Sequence, residues 1–364
     1  MLVIIHDKLL EYGGAESVLK FLIDGLKPKY IITGCINDRS FWEQSLNVKI
    51  VTPKILFFVK NQKIYRIVYP LLILILFFIR FNLKNEVALY YSSSLGKHIR
   101  TKNHADLFLF SNYPFKGVIK PDEYLSKHSL IRMPVIIASK FLKIFEKLAL
   151  SRFPKIAVIS KDAKLAYEDQ MLVSVNQIIH VPVNTSDFEK VDKVTGRIND
   201  IKNILIISRL YKEKNVLGLL ESLKAVKGVK VTIIGSGPLL TQLRGKYNEY
   251  NFKGFVSEHE KLEELSSSDI IINPTAQEWS LTLIEGNCCG VIGISAKCDA
   301  LFEINECISG CKFLPNHAVD FETIDFGDLI SKIPTLKVKH RLRALKYFSK
   351  ERFIREIEEF MYGK

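Results

Sequence analysis

Cysteine is scarce in this 364-residue chain, and its six copies form no CxxC pair. Cys288 and Cys289 are adjacent, while Cys307 and Cys311 lie four apart with no histidine nearby. Zinc sites and disulfide frameworks both depend on paired spacings, so the pattern points to reduced, packed thiols in a cytosolic protein. Also missing are a GxSxG with histidine and acid behind it, an HExxH and a Walker loop. The serine-hydrolase, zinc-protease and P-loop constellations are therefore absent. Acidic residues are outnumbered, 39 against 52 Lys and Arg, for a net charge of +13. Such an excess requires an anionic partner: nucleic acid, an anionic membrane surface or a phosphorylated small molecule. Nucleic acid is the weakest of these, because no aromatic-plus-basic single-strand motif or recognition-helix pattern occurs.

Long hydrophobic runs are lacking too, with one partial exception. Thirteen residues without charge lie between Arg66 and Arg80, interrupted by Pro70. A spanning helix needs roughly 20 apolar residues, so this run is too short to cross a bilayer comfortably. From Lys54 to Lys102 there are nine Lys or Arg and one acid, Glu86. Two readings stand: a wholly buried helix, or a helix whose outer side rests on anionic headgroups. The core accounts better for the apolar residues, a membrane surface better for the basic flanks. At the start of the chain, MLVIIHD reads as a buried strand rather than a signal peptide.

What is present is ordinary globular material, 48% apolar and 25% charged, long enough for two domains. Met1–Ile5 reads as a strand, Gly13-Gly14 as a turn, and Ala15–Leu26 as a helix with a face of Val18, Leu19, Leu22, Ile23 and Leu26. Strands YIITGCIND and VKIVTPKI follow, then VALYY, ADLFLF and IAVIS, with Ser160 capping the next helix. The second half repeats the pattern: NILIISRL, VKVTIIGSGP, FKGFV and DIIINPT are strands separated by helices, and LRALKYFSKERFIREIEEFMYG is one long closing helix. Alternation of this kind predicts an α/β protein with parallel sheets covered on both faces. The expected division is residues 1–185, a polar linker 186–202, 203–340, and a closing helix over 341–364. Ligands of such sheets bind at the carboxyl ends of strands, which makes a cleft between two lobes the default site.

Three stretches carry chemistry. In SRLYKEKN, Arg209 and Lys214 bracket a loop that leaves a strand for a helix, where two cations suit a diphosphate; a solvated basic loop is an equal reading. IIGSGP supplies Gly235 and Gly237, but Leu240 stands where a dinucleotide fingerprint needs its third glycine. A tight turn is the role left to it. Thr275–Ser295 reads as a polar loop, a helix from Leu281 capped by Ser280, a stop at Gly290 and a buried strand. Glu278 and Glu285 would lie about 10 Å apart on one helical face at ~1.5 Å per residue, a separation suited to opposite ends of one ligand, with Glu285 placed for a ribose diol. Glu278 could equally complement the helix dipole. His6, His98 and His104 fall near strand ends of the first half, where structural roles compete with that of a base.

Taken in order, SRLYKEKN, VTIIGSGPLLTQL, FKGFVSEHEKLEEL, SSSDIIINPT and QEWSLTLIEGNCCGVIGIS resemble the donor-binding domain of family 4 retaining glycosyltransferases of the GT-B fold. Gly13-Gly14-Ala15-Glu16 is similar to that family's glycine loop and HVPVNTSDF to its hinge. IYRIVYPLLILILFF resembles a Pro-containing helix of O-antigen and capsule members, and FSKERFIREIEEFMY the helix that closes back on the first lobe. The resemblance implies two Rossmann-like domains and transfer of a sugar, with retention, from a nucleotide-diphosphate sugar as substrate, with no cofactor and no bound metal. It assigns Arg209 and Lys214 to the diphosphate and leaving nucleotide, Gly13 and Gly14 to approach of the donor phosphate, Glu285 to the ribose, and Ser280, Leu281 and Thr282 to the capped N–H groups. The implied acceptor is a lipid-linked saccharide of bacterial surface polysaccharide synthesis, reached from the cytoplasm at the inner face of the membrane. Two departures touch the sugar end. Gln277 stands in the column of the family's first glutamate, with Glu278 one place later; Asn112 in FSNYPF stands where relatives carry a histidine, a role His98 or His104 could take over. Those departures also admit a second function, a non-catalytic nucleotide-sugar-binding partner of such an enzyme.

Overall fold

The computed structural model describes residues 1–53, 59–83, 86–102, 106–119, 132–189, 203–274, 279–296, 298–308, 316–319 and 340–363. It forms two compact units, Met1–Val181 with Phe353–Lys364, and Pro182–Arg352.

The first unit is built on β1 (Leu2–Leu9), β2 (Ile31–Ile36), β3 (Ile50–Val51), β5 (Val87–Tyr91), β7 (Leu107–Ser111), β8 (Lys155–Val158) and β9 (Gln177–Ile178). They pair in the order β3-β2-β1-β5-β7-β8-β9, every pair parallel. β4 (Arg80–Asn82) and β6 (Arg100–Lys102) form a separate parallel pair. Val3, Ile4 and Ile5 are buried in succession, as expected of a strand covered on both faces. The chain runs outward from β1 to β3 and then returns to pair β5 beside β1. This reversal opens a crevice at the carboxyl ends of β1 and β5.

The apolar run forms one helix, Gln62–Phe78, capped by Asn61, whose side chain accepts from Ile64 N–H at 2.9 Å. It continues through Pro70. Tyr65, Tyr69, Leu72, Ile73 and Leu76 are buried in the core, whereas Leu71, Leu74 and Phe78 are exposed. The core reading therefore holds for one face only. At 17 residues the helix is about 26 Å long at ~1.5 Å per residue, and no helix among the described residues is long and apolar enough to cross a membrane.

The second unit carries β10 (Asn203–Ile207), β11 (Lys230–Ile234), β12 (Asn251–Gly254), β13 (Ile270–Asn273), β14 (Ile292–Ala296) and β15 (Asn316–Val319). Their order is β12-β11-β10-β13-β14-β15, again parallel throughout. The strand order reverses between β10 and β13, so the crevice of this unit lies at their carboxyl ends.

The closing helix differs from expectation. Instead of one helix it forms two, Arg341–Tyr347 and Lys350–Tyr362. Phe348 is fully buried, with its carbonyl accepting from Val183 N–H, and the Ser349 hydroxyl accepts from Arg352 N–H. A buried anchor followed by a capping serine ends one helix and starts the next. The division of the chain follows: residues to Arg352 belong to the second unit, and from Phe353 onward to the first. There Phe353 packs on Phe110, Phe360 packs on Phe108, and Lys155 Nζ donates to the Phe360 carbonyl.

Candidate functional site

In the second unit, β10 ends at Ile207 and the chain passes through Arg209 into a single 3-10 turn, Lys212–Lys214, before the helix Val216–Leu223. Both predicted cations are thus on the loop that leaves β10 at the crevice. Arg209 is exposed, its guanidinium carbon 5.9 Å from the Tyr211 ring centroid, and Lys214 is half-buried. The IIGSGP glycines prove to support this loop. Ser208 N–H donates to the Ile234 carbonyl and Leu210 N–H to that of Ser236. Gly235 at φ 136° and Gly237 at φ 157° occupy the left-handed region, where L side chains are disfavoured. A Cβ on Gly235 would lie 1.9 Å from the Ser208 carbonyl oxygen, and one on Gly237 2.4 Å from that of Leu210. The glycines let the Arg209 loop lie directly on the loop after β11.

The neighbouring strand, β13, leads towards the helix Leu281–Cys288. Gln277 and Glu278 lie outside the described residues. Ser280 caps the helix as expected, its hydroxyl accepting from Leu283 N–H at 3.3 Å, and it also lies 3.1 Å from the Thr282 hydroxyl. Ile284 N–H donates to the Ser280 carbonyl. Helix geometry leaves Leu281 and Thr282 as the N–H groups with no intrahelical acceptor, at the positive end of the helix dipole.

One turn further on, Glu285 meets a residue that the sequence did not single out. Lys261 Nζ is 3.0 Å from Glu285 Oε1 and 2.7 Å from Glu258 Oε2. Burial pushes the Glu285 carboxyl above its ordinary pKa, with the Lys261 ammonium pulling the other way. Burial would lower the pKa of Lys261, but the Glu285 and Glu258 carboxylates outweigh it and hold the ammonium above its usual range. A cation at this spacing fixes the carboxylate while one oxygen remains to accept hydroxyl donors. Lys261 sits in Glu258–Ser267, a helix whose start is legible from the Ser257–Glu260 capping box. Nothing local in HEKLEEL joins it to a residue 24 positions away.

In the first unit, Gly13 and Gly14 end the loop after β1 and begin the helix Gly14–Leu26. Gly13 supplies no side-chain cap, so the first N–H groups of this helix are left to other acceptors. Behind them His6 is buried, its Nδ1 2.9 Å from the Tyr91 carbonyl and its Nε2 3.9 Å from Glu16 Oε1. Burial would lower its pKa, but Glu16 and Asp7 prevail and raise it. Asp7 is a second residue that the sequence did not mark. Its carboxylate accepts from the Ser92 hydroxyl and from the N–H groups of Ser93, Ser94 and Gly96, which ties the loop after β5 to the end of β1. Burial would raise its pKa, but His6 and these donors hold it below the ordinary value.

His98 follows on that loop but turns inward. It is buried, with Nε2 2.9 Å from Glu146 Oε1, so its ring faces the interior and not an incoming acceptor. Asn112, after β7, is half-buried; its Oδ1 accepts from the Tyr91 hydroxyl and its N–H donates to Ser93 Oγ. Gly13, Gly14, His98 and Asn112 thus follow three adjacent strands of one sheet. Arg209, Lys214, Ser280, Leu281, Thr282 and Glu285 follow two adjacent strands of the other. His104 lies outside the described residues.

Known structures match this chain along its whole length. The chain is similar to Anabaena Alr3699/HepE in its complex with UDP-glucose, with 14% identity, a TM-score of 0.65 and full coverage of both chains. Sucrose-phosphate synthase from Thermosynechococcus elongatus aligns with a TM-score of 0.69 at 14% identity over 99% of this chain and 98% of that one. The lipopolysaccharide outer core galactosyltransferase WaaB, in its apo form, gives 0.63 at 13% identity over 100% and 99%. The fold is that of the GT-B glycosyltransferases. Within it, residues 187–306 match the family model described as "Glycosyl transferases group 1". This segment holds Arg209 and Lys214 of the β10 loop, the two supporting glycines, Lys261 and the whole Ser280–Glu285 stretch. No curated protein sequence matches the chain.

Proposed function

We propose that this protein is a retaining, metal-independent glycosyltransferase that moves a hexose from a nucleotide-diphosphate sugar to a lipid-linked saccharide in bacterial surface polysaccharide synthesis. The observation that carries the reading is the pairing at the β10/β13 crevice. Arg209 and Lys214 leave one strand, and the capped helix start with Glu285 follows the next, all inside the segment that matches the group 1 model. In the transfer, the bond between the anomeric carbon and the β-phosphate oxygen breaks, the acceptor hydroxyl oxygen bonds to that carbon, and its proton passes to the departing diphosphate. Arg209 and Lys214 supply positive charge where the leaving diphosphate gains negative charge, the placement that lowers such barriers most. The N–H groups of Leu281 and Thr282 add donors to the phosphates, and Glu285 accepts from the ribose hydroxyls. Gly13 and Gly14 admit the donor phosphate to a helix start. Gln277 or Glu278 serves the sugar. UDP-glucose in the HepE complex and the lipopolysaccharide role in WaaB's name support a nucleotide-sugar donor and a surface-glycan acceptor. The basic first half supports a cytoplasmic protein peripheral on the inner membrane face, reaching a lipid-held acceptor.

A second reading, a nucleotide-sugar-binding partner without turnover, is favoured by Asn112, whose amide is engaged with Tyr91 and can act as no base. A panel of nucleotide sugars, assayed for binding and for transfer to lipid-linked saccharides, separates the two. Transfer with retained anomeric configuration is expected. Tight nucleotide binding with no turnover on any acceptor would replace the enzyme by the partner.

The Lys261–Glu285 pair gives this reading a pH signature. Accepting from a diol needs the ionised carboxylate, and burial raises the Glu285 pKa, so donor affinity should decline on acidification earlier than an ordinary carboxylate would allow. Lys261→Met removes the opposing cation and raises that pKa further, moving the decline to higher pH. At neutral pH the variant should bind nucleotide about tenfold more weakly, the ~1.5 kcal/mol of one charge-assisted contact. Calorimetric titration across pH reads both effects; an unmoved acid limb would remove Lys261 from the site.

A further inference from the structure

Two helices of the first unit cover the same face of its sheet, Gln62–Phe78 and Arg132–Leu150. Tyr69 and Glu146 both point inward from them, their polar atoms 3.4 Å apart. Each helix also carries an apolar stripe on its opposite side. Leu71, Leu74 and Phe78 recur at three- and four-residue steps on the first; Ile137, Phe141, Ile144 and Leu148 do so on the second. Among the described residues, seven of the 18 exposed large apolar side chains belong to these two helices, a concentration that scattered surface residues do not produce. On the second helix the stripe lies diametrically opposite Glu146, and Lys140, Lys143 and Lys147 all fall along one flank of it, by 100° steps. The described acids of these two segments are spent internally. Glu146 is buried against Lys97 and His98, and Glu86 is buried against Lys29 and Tyr30. Over the described residues 59–102 and 132–152, no acidic side chain is exposed, whereas Lys60, Arg80, Lys102 and Lys140 are.

We propose that the Arg132–Leu150 helix docks this protein on an anionic lipid bilayer, with Ile137, Phe141, Ile144 and Leu148 entering the acyl boundary and the flanking lysines resting on headgroups. The inference rests on the peripheral-membrane reading above and names its contact surface. An apolar stripe edged by lysines, with no exposed acid among the described residues of its own helix, is complementary to anionic headgroups. A second copy of the same basic face would meet it with like charge. Glu146 holds the inner side of the helix to Lys97 and His98 of the loop after β5, so docking fixes that loop relative to the membrane plane.

The test is co-sedimentation of the full chain with vesicles of equal parts phosphatidylglycerol and phosphatidylcholine, and with phosphatidylcholine alone, without nucleotide or acceptor. Binding should need the anionic lipid and weaken with salt. Phe141→Ser with Ile144→Ser should cut partitioning about 100-fold or more, from the loss of two buried apolar side chains. Lys140→Glu with Lys143→Glu and Lys147→Glu should cost about 100-fold, from about 1 kcal/mol per lysine. These positions are exposed or half-buried, so unfolding transitions should stay put, and Phe141→Trp should show blue-shifted emission on adding anionic vesicles. Unchanged sedimentation of the serine variant, no spectral shift, or a concentration-dependent dimer that the serine variant abolishes without any vesicle binding would each overturn the proposal. Donor turnover on a soluble acceptor, measured without vesicles, keeps the two readings apart. Lost docking with intact turnover removes only the membrane surface, and intact docking without nucleotide binding removes only the transferase.

Discussion

Arg209→Ala is expected to lower the rate of sugar transfer about 100- to 1000-fold, the scale seen when one preorganised donor to a developing oxyanion is removed. The reason lies in the position of the Arg209 side chain. It leaves β10 at the strand-order reversal, is exposed, and lies over Tyr211, so its removal breaks no core packing and the unfolding midpoint should not move. The leaving nucleoside diphosphate gains negative charge as the anomeric bond breaks, so most of the loss should appear in kcat and less in nucleotide affinity. Arg209→Lys should recover only part, because an ammonium cannot reproduce the planar two-point grip of a guanidinium on phosphate. Lys214→Ala should act on the same charge, and the double variant should fall short of the product of the two singles. Single-turnover transfer, with whichever donor the nucleotide-sugar panel selects, is the measurement. A rate within threefold of wild type would move the diphosphate away from this loop.

Glu146→Gln should destabilise the protein by about 3–5 kcal/mol, the usual cost of stripping one partner from a buried ion pair. Lys97 Nζ and Glu146 Oε2 are 2.7 Å apart with both side chains at 0% exposure, so the remaining ammonium has no water to turn to. Lys97→Met combined with Glu146→Leu should restore most of the loss, since an apolar pair leaves no buried charge unmatched. The pH dependence follows from the directions of the two shifts. Burial would raise the Glu146 pKa, but Lys97 and His98 outweigh it and depress the value; the stability from this group is complete above the ordinary carboxylate range and is lost as pH falls through the depressed folded value. Burial would lower the Lys97 pKa, but Glu146 outweighs it and raises the value; that stability is complete below the ordinary lysine range and is lost as pH rises through the elevated one. Urea unfolding should therefore show a plateau between these limits that the apolar double variant lacks. A single Glu146→Gln variant within about 1 kcal/mol of wild type would show the pair to be solvated.

Much of this organisation was readable from local pattern. Short apolar runs set off by turns placed the central strands of both sheets. Caps at Ser160 and Ser280 fall where an oxygen-bearing side chain precedes an amphipathic segment. Arg209 and Lys214 were findable because a strand and a helix bracket them within eight residues. Sequence reading went astray where distant groups decide. VKIVTPKI holds the third strand, but among its described residues only Ile50–Val51 pair with β2, and Pro53 follows. The closing helix looked continuous because every residue through its break tolerates helix; burial of Phe348 and its bond to Val183 divide it. His98 looked available as a base until Glu146, 48 residues away, claimed its ring.

The sequence alone determined the two α/β units and the basic net charge, and singled out the Thr275–Ser295 and Ser208–Asn215 stretches as candidate sites, because these depend on composition, periodicity, capping and turn signals within a few residues. Only tertiary structure decided that Lys261 holds Glu285, that Gly235 and Gly237 carry the Arg209 loop, that Glu146 neutralises Lys97 deep in the first unit, and that an amphipathic helix turns a second apolar stripe outward. Each joins groups far apart in the chain, and burial and distance there follow from sheet order, which no local pattern encodes.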